Sequence, residues 1–391
     1  MGLLSEYINK NWGANELQTE LLRLIGEYNK LRKTDLLVYA AAMNKQVPDV
    51  SLSMDDYYVI FDLLRTNSSK KLDCYIQTPG GSGEAAEEVV RFTRSKFEDV
   101  SFVVSGEAKS AGTIIVLSGD EILMTHSGSL GPIDAQVKIG RMVVSAHDYL
   151  EWIREKRAEA EEKSKLNPFD ATVVAQISPG ELNGVLHALE FAKDLVVDWL
   201  PKYKFKNWVI TETKKEKVTE VMKKTRAEYI AKKLSDHSKW RSHGRSIKID
   251  DLEGIGLRIT NVDKDAALSD IVYRIQTVIK LLFESTFIYK IFATANEKVF
   301  RIAAPSGVAR SVPINQIQKP DVVQIEAKCT KCNTHYNLYA KLVSNPKIDE
   351  EFKKKGSLPF PNNNKLTCSC GFEIDLSGIR NNIETQVGKI V

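Results

Sequence analysis

Two glycine-marked loops constrain what this chain can fold into more than any other feature. The run from Leu72 to Thr78 is short, rich in β-formers and halted by Pro79-Gly80-Gly81, after which Glu84 to Ser95 has helical spacing. Val100 to Ser105 repeats the pattern, followed by Gly106, a helix from Ser110 to Leu117 and a strand from Glu121 to Met124. Strand, helix, strand, helix, strand predicts a parallel α/β layout. In such a sheet both glycine loops lie at the carboxyl ends of strands, where sites form. Apolar spacing predicts further helices over 14–48, 54–65, 145–163, 179–200, 218–234 and 266–288. After Thr294 the texture changes to short strands and clustered cysteines, which predicts a domain boundary near 295.

The second loop carries a serine where a helix begins. A hydroxyl there sits beside unpaired backbone N–H groups and the positive end of the helix dipole, both of which favour developing negative charge. An oxyanion hole needs that arrangement. Gly81 can offer an N–H from the facing loop because no side chain blocks approach, and Ala111 can offer the one after the serine. Alone, each loop reads as an N-cap or a turn. Together they point to Ser110 as a nucleophile.

Four segments, in order, resemble the Clp/crotonase superfamily, specifically the signal peptide peptidase A branch and its soluble relative, the serine dehydrogenase proteinase family. They are Tyr75-Ile-Gln-Thr-Pro-Gly-Gly-Ser-Gly-Glu-Ala, Gly106-Glu-Ala-Lys-Ser-Ala-Gly-Thr, Gly119-Asp-Glu-Ile and Ser127-Gly-Ser-Leu-Gly-Pro-Ile-Asp. The resemblance implies an acyl nucleophile at Ser110, an oxyanion N–H from Gly81 and a second from Ala111. It also implies stacked β-β-α units, peptide-bond hydrolysis and assembly into a homo-oligomer.

The general base stays open. Clp proteases place a histidine where Asp134 and Ala135 stand here. Signal peptide peptidase A uses a lysine from a later segment, and by that resemblance Lys163 is the first candidate and Lys165 the second. A lysine serves as base only if its pKa falls from about 10.4 toward neutrality. His126 lies near the nucleophile in sequence, and His243 sits in Ser242-His-Gly-Arg-Ser, which also resembles the serine dehydrogenase proteinases. Asp134 can orient a base or cap a turn, of which the turn cap is the expected reading, and Lys109 is a neighbour of the nucleophile with no assigned role.

Four of five cysteines cluster late, as Cys329-Thr-Lys-Cys332 and Cys368-Ser-Cys370. Four thiolates close a tetrahedral site, so structural Zn2+ is expected, with His335 as a spare ligand. Cys74, on a buried strand, reads as a small hydrophobe.

A 43% hydrophobic and 27% charged composition supports real cores without a disordered bias. No long apolar run predicts a membrane span, and Met1 to Glu6 carries no secretory pattern. The expected location is cytoplasmic. Net charge is only +4, and the lysine-rich 202–233 stretch reads as a solvated helix face, leaving nucleic acid possible but not favoured. No phosphate-binding Gly-x-x-x-x-Gly-Lys loop occurs, so any ATP dependence would come from another protein.

These readings divide the chain into a Clp/crotonase-like serine peptidase core (1–210), a helical extension with the Ser-His-Gly loop (211–295) and a β-rich zinc ribbon (296–391). Two rivals to peptide hydrolysis share the fold: an acyl-thioester enzyme, and a non-catalytic scaffold that binds protein or nucleic acid through the zinc ribbon.

Overall fold

A computed structural model describes residues 2–139, 142–303, 321–386 and 389–390. The chain forms two compact units, Met1–Ser306 and Gly307–Val391. The first is built on a seven-stranded sheet of β1 (Asp35–Ala41), β2 (Lys71–Gln77), β3 (Asp99–Val104), β4 (Glu121–Met124), β5 (Thr260–Asn261), β6 (Ile288–Ala293) and β7 (Lys298–Ile302). Their order across the sheet is β7-β6-β1-β2-β3-β4-β5. From β1 to β5 the neighbours run parallel, and β6 and β7 close one edge antiparallel.

Both faces of the sheet are covered. On one face, α1 (Ala14–Arg32) and α8 (Ala266–Ser285) pack Leu21, Leu24, Ile275 and Ile279 against Leu36, Val38, Tyr75 and Val103. The other is covered by α2 (Met54–Leu64), α3 (Gly83–Lys96), α4 (Ala111–Leu117) and α6 (Pro179–Trp199), packed on Leu37, Cys74, Phe102 and Ile122. Two further helices, α5 (Ala146–Lys163) and α7 (Glu220–Leu234), complete the described α-helices that bear on the site.

Two predicted helices run too far. The helix expected over 14–48 stops at Arg32, where Lys33 turns left-handed at φ 56°, and Asp35–Ala41 is the central strand. The Asn29 side chain fixes the turn by accepting from the Leu36 N–H. A strand buried on both faces has no alternation to separate it from a helix. Likewise the helix expected to reach Ile288 ends at Ser285, and Ile288 begins β6.

The second unit holds an antiparallel pair, Val322–Lys328 with His335–Lys341, a short hairpin of Lys365–Thr367 with Glu373–Asp375, and two helices. Its central core is small: Ala327, Leu338, Ala340, Phe360, Leu376 and Ile383.

Candidate active site

The loop after β2 is fixed from two sides. The Thr78 N–H donates to Glu107 O (2.8 Å), and Thr78 O accepts from the Lys109 N–H (3.0 Å), which clamps the strand end to the short segment before the serine. The Leu52 N–H donates to Gly80 O (2.7 Å), and Leu52 O accepts from the Ser82 N–H (2.9 Å). That ladder engages Gly80 and Ser82 and leaves the Gly81 N–H outside it. Gly80 and Gly81 sit at φ 98° and 149°, conformations that L side chains rarely adopt. A Cβ on Gly80 would stand 2.6 Å from Ser110 Cβ, so the glycine loop lies directly on the serine. A Cβ on Gly81 would overlap the Leu52 backbone.

Ser110 caps α4 at φ 49°, ψ −117°, a strained setting for a residue with a side chain. Such strain costs on the order of 1–3 kcal/mol and is held only where the surroundings enforce it. Ser110 is half-buried, and its hydroxyl makes no hydrogen bond among the described residues. Ala111 opens the helix, so its N–H is among the first-turn donors that lack an intrahelical acceptor.

Residues distant in sequence gather beside this turn. Thr113 Oγ1 donates to Gly131 O and accepts from the Gly131 N–H. Lys109 is buried, and among the described residues its Nζ bonds neutral oxygens: Ser129 Oγ, Leu130 O, Arg245 O and Ser246 Oγ at 3.0–3.4 Å. Burial pushes this amine below the ordinary lysine range. Leu130 and Ile247 exchange a pair of backbone hydrogen bonds. The Ser242-His243-Gly244 loop is thereby tied to the segment that follows Gly128, and His243 Nδ1 lies 2.9 Å from Asp134 Oδ1. Asp134 is 1% exposed, and Gln136 Nε2 donates to its other oxygen.

Ser110, Ala111 and the Gly80-Gly81 loop are therefore together. Lys163 ends α5 with its side chain 60% exposed, bonded to Glu159 Oε1 at 3.2 Å. Lys165 and His126 are exposed. Sequence reading missed the partnership of Asp134 with His243, because 109 residues separate them. The Gly-Pro-Ile-Asp and Ser-His-Gly motifs were visible, but nothing in either names the other.

Residues 51–190 match the family model described as ClpP-like SDH-type serine proteinase. The likeness to that family rests on this segment of the chain. Two uncharacterized proteins of Methanocaldococcus jannaschii are similar over short stretches. One is 35% identical over 68 residues, 17% of this chain and 24% of the relative. The other is 29% identical over 87 residues, 22% and 30%. The chain thus spans less than a third of the length of these curated relatives. Among solved structures, two of a 1510-N membrane-bound stomatin-specific protease are similar in part. A serine-to-alanine variant is 17% identical, covering 30% of this chain and 61% of that one, with TM-score 0.23. A lysine-to-alanine variant with a substrate peptide is 19% identical, covering 29% and 57%, also at 0.23. No helix among the described residues is long and apolar enough to cross a membrane.

In the second unit the Sγ atoms of Cys329, Cys332, Cys368 and Cys370 all lie within 4.8 Å of one another, and no disulfide joins them. The closest pairs are 3.4 and 3.8 Å apart. Sulfurs at about 2.3 Å from a tetrahedral zinc would be about 3.8 Å from each other, so the four fit such an ion. The Cys370 backbone N–H and the Tyr336 hydroxyl pull the Cys368 thiol down to about 5, while burial and the neighbouring sulfurs push the Cys370 thiol up to about 11. His335 bonds Glu326 and lies outside the group.

Proposed function

We propose that this chain is an ATP-independent serine peptidase that cleaves peptide bonds through an acyl-enzyme on Ser110. The reading is carried by the strained Ser110 at the start of α4, in contact with the glycine loop. Ser110 Oγ attacks the substrate carbonyl, and the Gly81 and Ala111 N–H groups receive the oxyanion. We assign the base to His243. With Asp134 on Nδ1, the other ring nitrogen is the one that accepts the serine proton and returns it to the leaving amine. Lys163, supported by its position along the chain, is the rival base. Its side chain is 60% exposed and turned to Glu159.

The four cysteines would hold a structural zinc that supplies the second unit with stability its small core lacks. The proposed substrates are peptides or proteins. The homo-oligomer rests on the family resemblance alone, and the proposed cytoplasmic location on the clustered cysteines.

Intact-mass labelling with a fluorophosphonate probe tests the reading. A single adduct on the native chain, absent in Ser110→Ala, is expected. A folded chain that takes no adduct would shift the reading to an acyl-thioester enzyme or a non-catalytic scaffold.

A further inference from the structure

One buried group beside Ser110 takes no part in the chemistry assigned above. Lys109 is enclosed, and its backbone already joins two segments: its N–H donates to Thr78 O at 3.0 Å, and its carbonyl accepts from the Gly112 N–H at 2.8 Å. The same carbonyl lies against the glycine loop, 2.9 Å from where a Cβ on Gly80 would stand.

The side chain reaches the two segments that bring His243 and Asp134 together. Its stem passes over Gly131, where an added Cβ would come 2.8 Å from Lys109 Cδ. The glycine that precedes Pro132, Ile133 and Asp134 thus leaves the room that the lysine takes. On the His243 loop, Nζ meets Ser246 Oγ at 3.0 Å and Arg245 O at 3.3 Å. On the segment that leads to Asp134 it meets Ser129 Oγ at 3.3 Å and Leu130 O at 3.4 Å. An ammonium carries three donors and no acceptor, so it can hold oxygens of both segments at once. Burial disfavours the ammonium, Glu107 favours it, and Lys248 opposes it less strongly. Such a group costs stability unless its donors are used, and here each contact crosses between segments.

The His243 loop has few other holds. Among the described residues, hydrogen bonds otherwise join residues 242–246 to the rest of the unit at His243, 2.9 Å from Asp134, and between Ser129 Oγ and Ser246 Oγ at 3.4 Å. Beyond the loop, Ile247 pairs with Leu130.

We propose that Lys109 is a positioning residue, which sets His243 against Ser110 by holding the His243 loop and the Asp134 segment to the turn that carries the nucleophile. The inference rests on the reading of Ser110 as nucleophile and His243 as base.

Acylation of the full chain by the fluorophosphonate probe, followed against probe concentration, tests it. In Lys109→Met the rate at saturating probe should fall about tenfold or more, with the half-saturating concentration unchanged. In a His243→Ala background the same substitution should change that rate less than about twofold, because a residue that acts through the imidazole has nothing left to place. An equal fall in both backgrounds would overturn the role. A native chain that takes no adduct sinks the serine reading as a whole, whereas a native chain that labels no faster than Lys109→Met sinks this inference alone. If Lys109→Met fails to fold, as judged by circular dichroism, Ser246→Ala replaces it by removing the shortest of the four contacts. Its saturated rate should fall about threefold where His243 is present, and an unchanged rate would count against the role. Amide hydrogen exchange over 242–246 should quicken in either variant, and unchanged protection there would mean that the amine does not hold the loop.

Discussion

His243 and Asp134 stand 109 residues apart in the chain, yet their side chains meet at 2.9 Å with the carboxylate fully enclosed. A carboxylate so placed fixes the imidazole's orientation and the tautomer it presents. His243→Ala and Asp134→Asn should each slow fluorophosphonate acylation of Ser110, by about 10²–10⁴-fold. Lys163→Ala should leave the rate near that of the native chain. The opposite pattern, with Lys163→Ala slow and His243→Ala unaffected, would transfer the base to the lysine.

Gly81 gives a separate prediction because its constraint is steric. At φ 149°, with the Leu52 backbone where a Cβ would go, Gly81→Ala must displace the loop. Backbone strain of this kind costs on the order of 1–3 kcal/mol. Losing one oxyanion donor lowers rates by about 10²–10³. Melting and acylation measured on the same preparation should therefore both fall. Normal acylation in a destabilised variant would mean that the Gly81 N–H does not face the reacting carbonyl.

A buried ion pair anchors the same loop from behind. Lys290 Nζ lies 2.6 Å from Asp56 Oδ2, both side chains are 2% exposed, and the amine also donates to Ser51 O at 2.8 Å. Asp56 in turn accepts from the Ser53 N–H and the Tyr39 hydroxyl. These bonds hold the segment whose Leu52 pairs with Gly80 and Ser82. Lys290→Met strands the carboxylate and should cost about 3–5 kcal/mol in urea unfolding. Adding Asp56→Leu should recover part of that loss. A single variant as stable as the native chain would show that the pair is not a structural anchor.

That the proposed nucleophile and its proposed oxyanion donors lie together was legible because glycine loops at strand ends are local signals: Gly80, Gly81, Ser110 and Ala111 all lie within two short motifs. The strands at Asp35–Ala41 and Ile288–Ala293 were not, since a strand covered on both faces shows no alternation and each starts only a few residues after a helix. The residue that Asp134 would meet was equally hidden. A lone aspartate after proline reads as a turn cap until the fold brings His243 to it. Lys109 shows the same limit, because a lysine beside a nucleophile gives no sign that it will be buried among carbonyl and hydroxyl oxygens.

Lys204 makes stability depend on pH in a direction set by its burial. Its folded value is about 8, below the ordinary lysine value of about 10.4, so between these limits the unfolded chain binds more protons. Its contribution to stability therefore rises with pH from about 8 to about 10.4 and is flat below that window. The full change is at most ~3 kcal/mol. Urea midpoints of the native chain and Lys204→Met at pH 7 and pH 10 isolate it, since other titrating groups are common to both. The variant should lack this rise. Identical pH dependence in the two chains would place the amine in water.

The cysteine group supplies the last prediction. Two small clusters, one around Leu338, Phe360 and Leu376 and one of Tyr339, Ile348 and Phe352, make a thin core for a separate unit, and four sulfurs within 4.8 Å without a disulfide form a ready tetrahedral site. Purified chain should carry one zinc, measurable by atomic emission. Removing it with a strong chelator, or by Cys332→Ser, should expose 321–386 to limited proteolysis. Zinc sites of this type contribute about 10–16 kcal/mol, so their loss unfolds what they hold. Acylation of Ser110 should persist, because no described residue of the proposed serine site lies in that unit. Full protease resistance after chelation would mean that the cysteines do not hold the unit together through a metal.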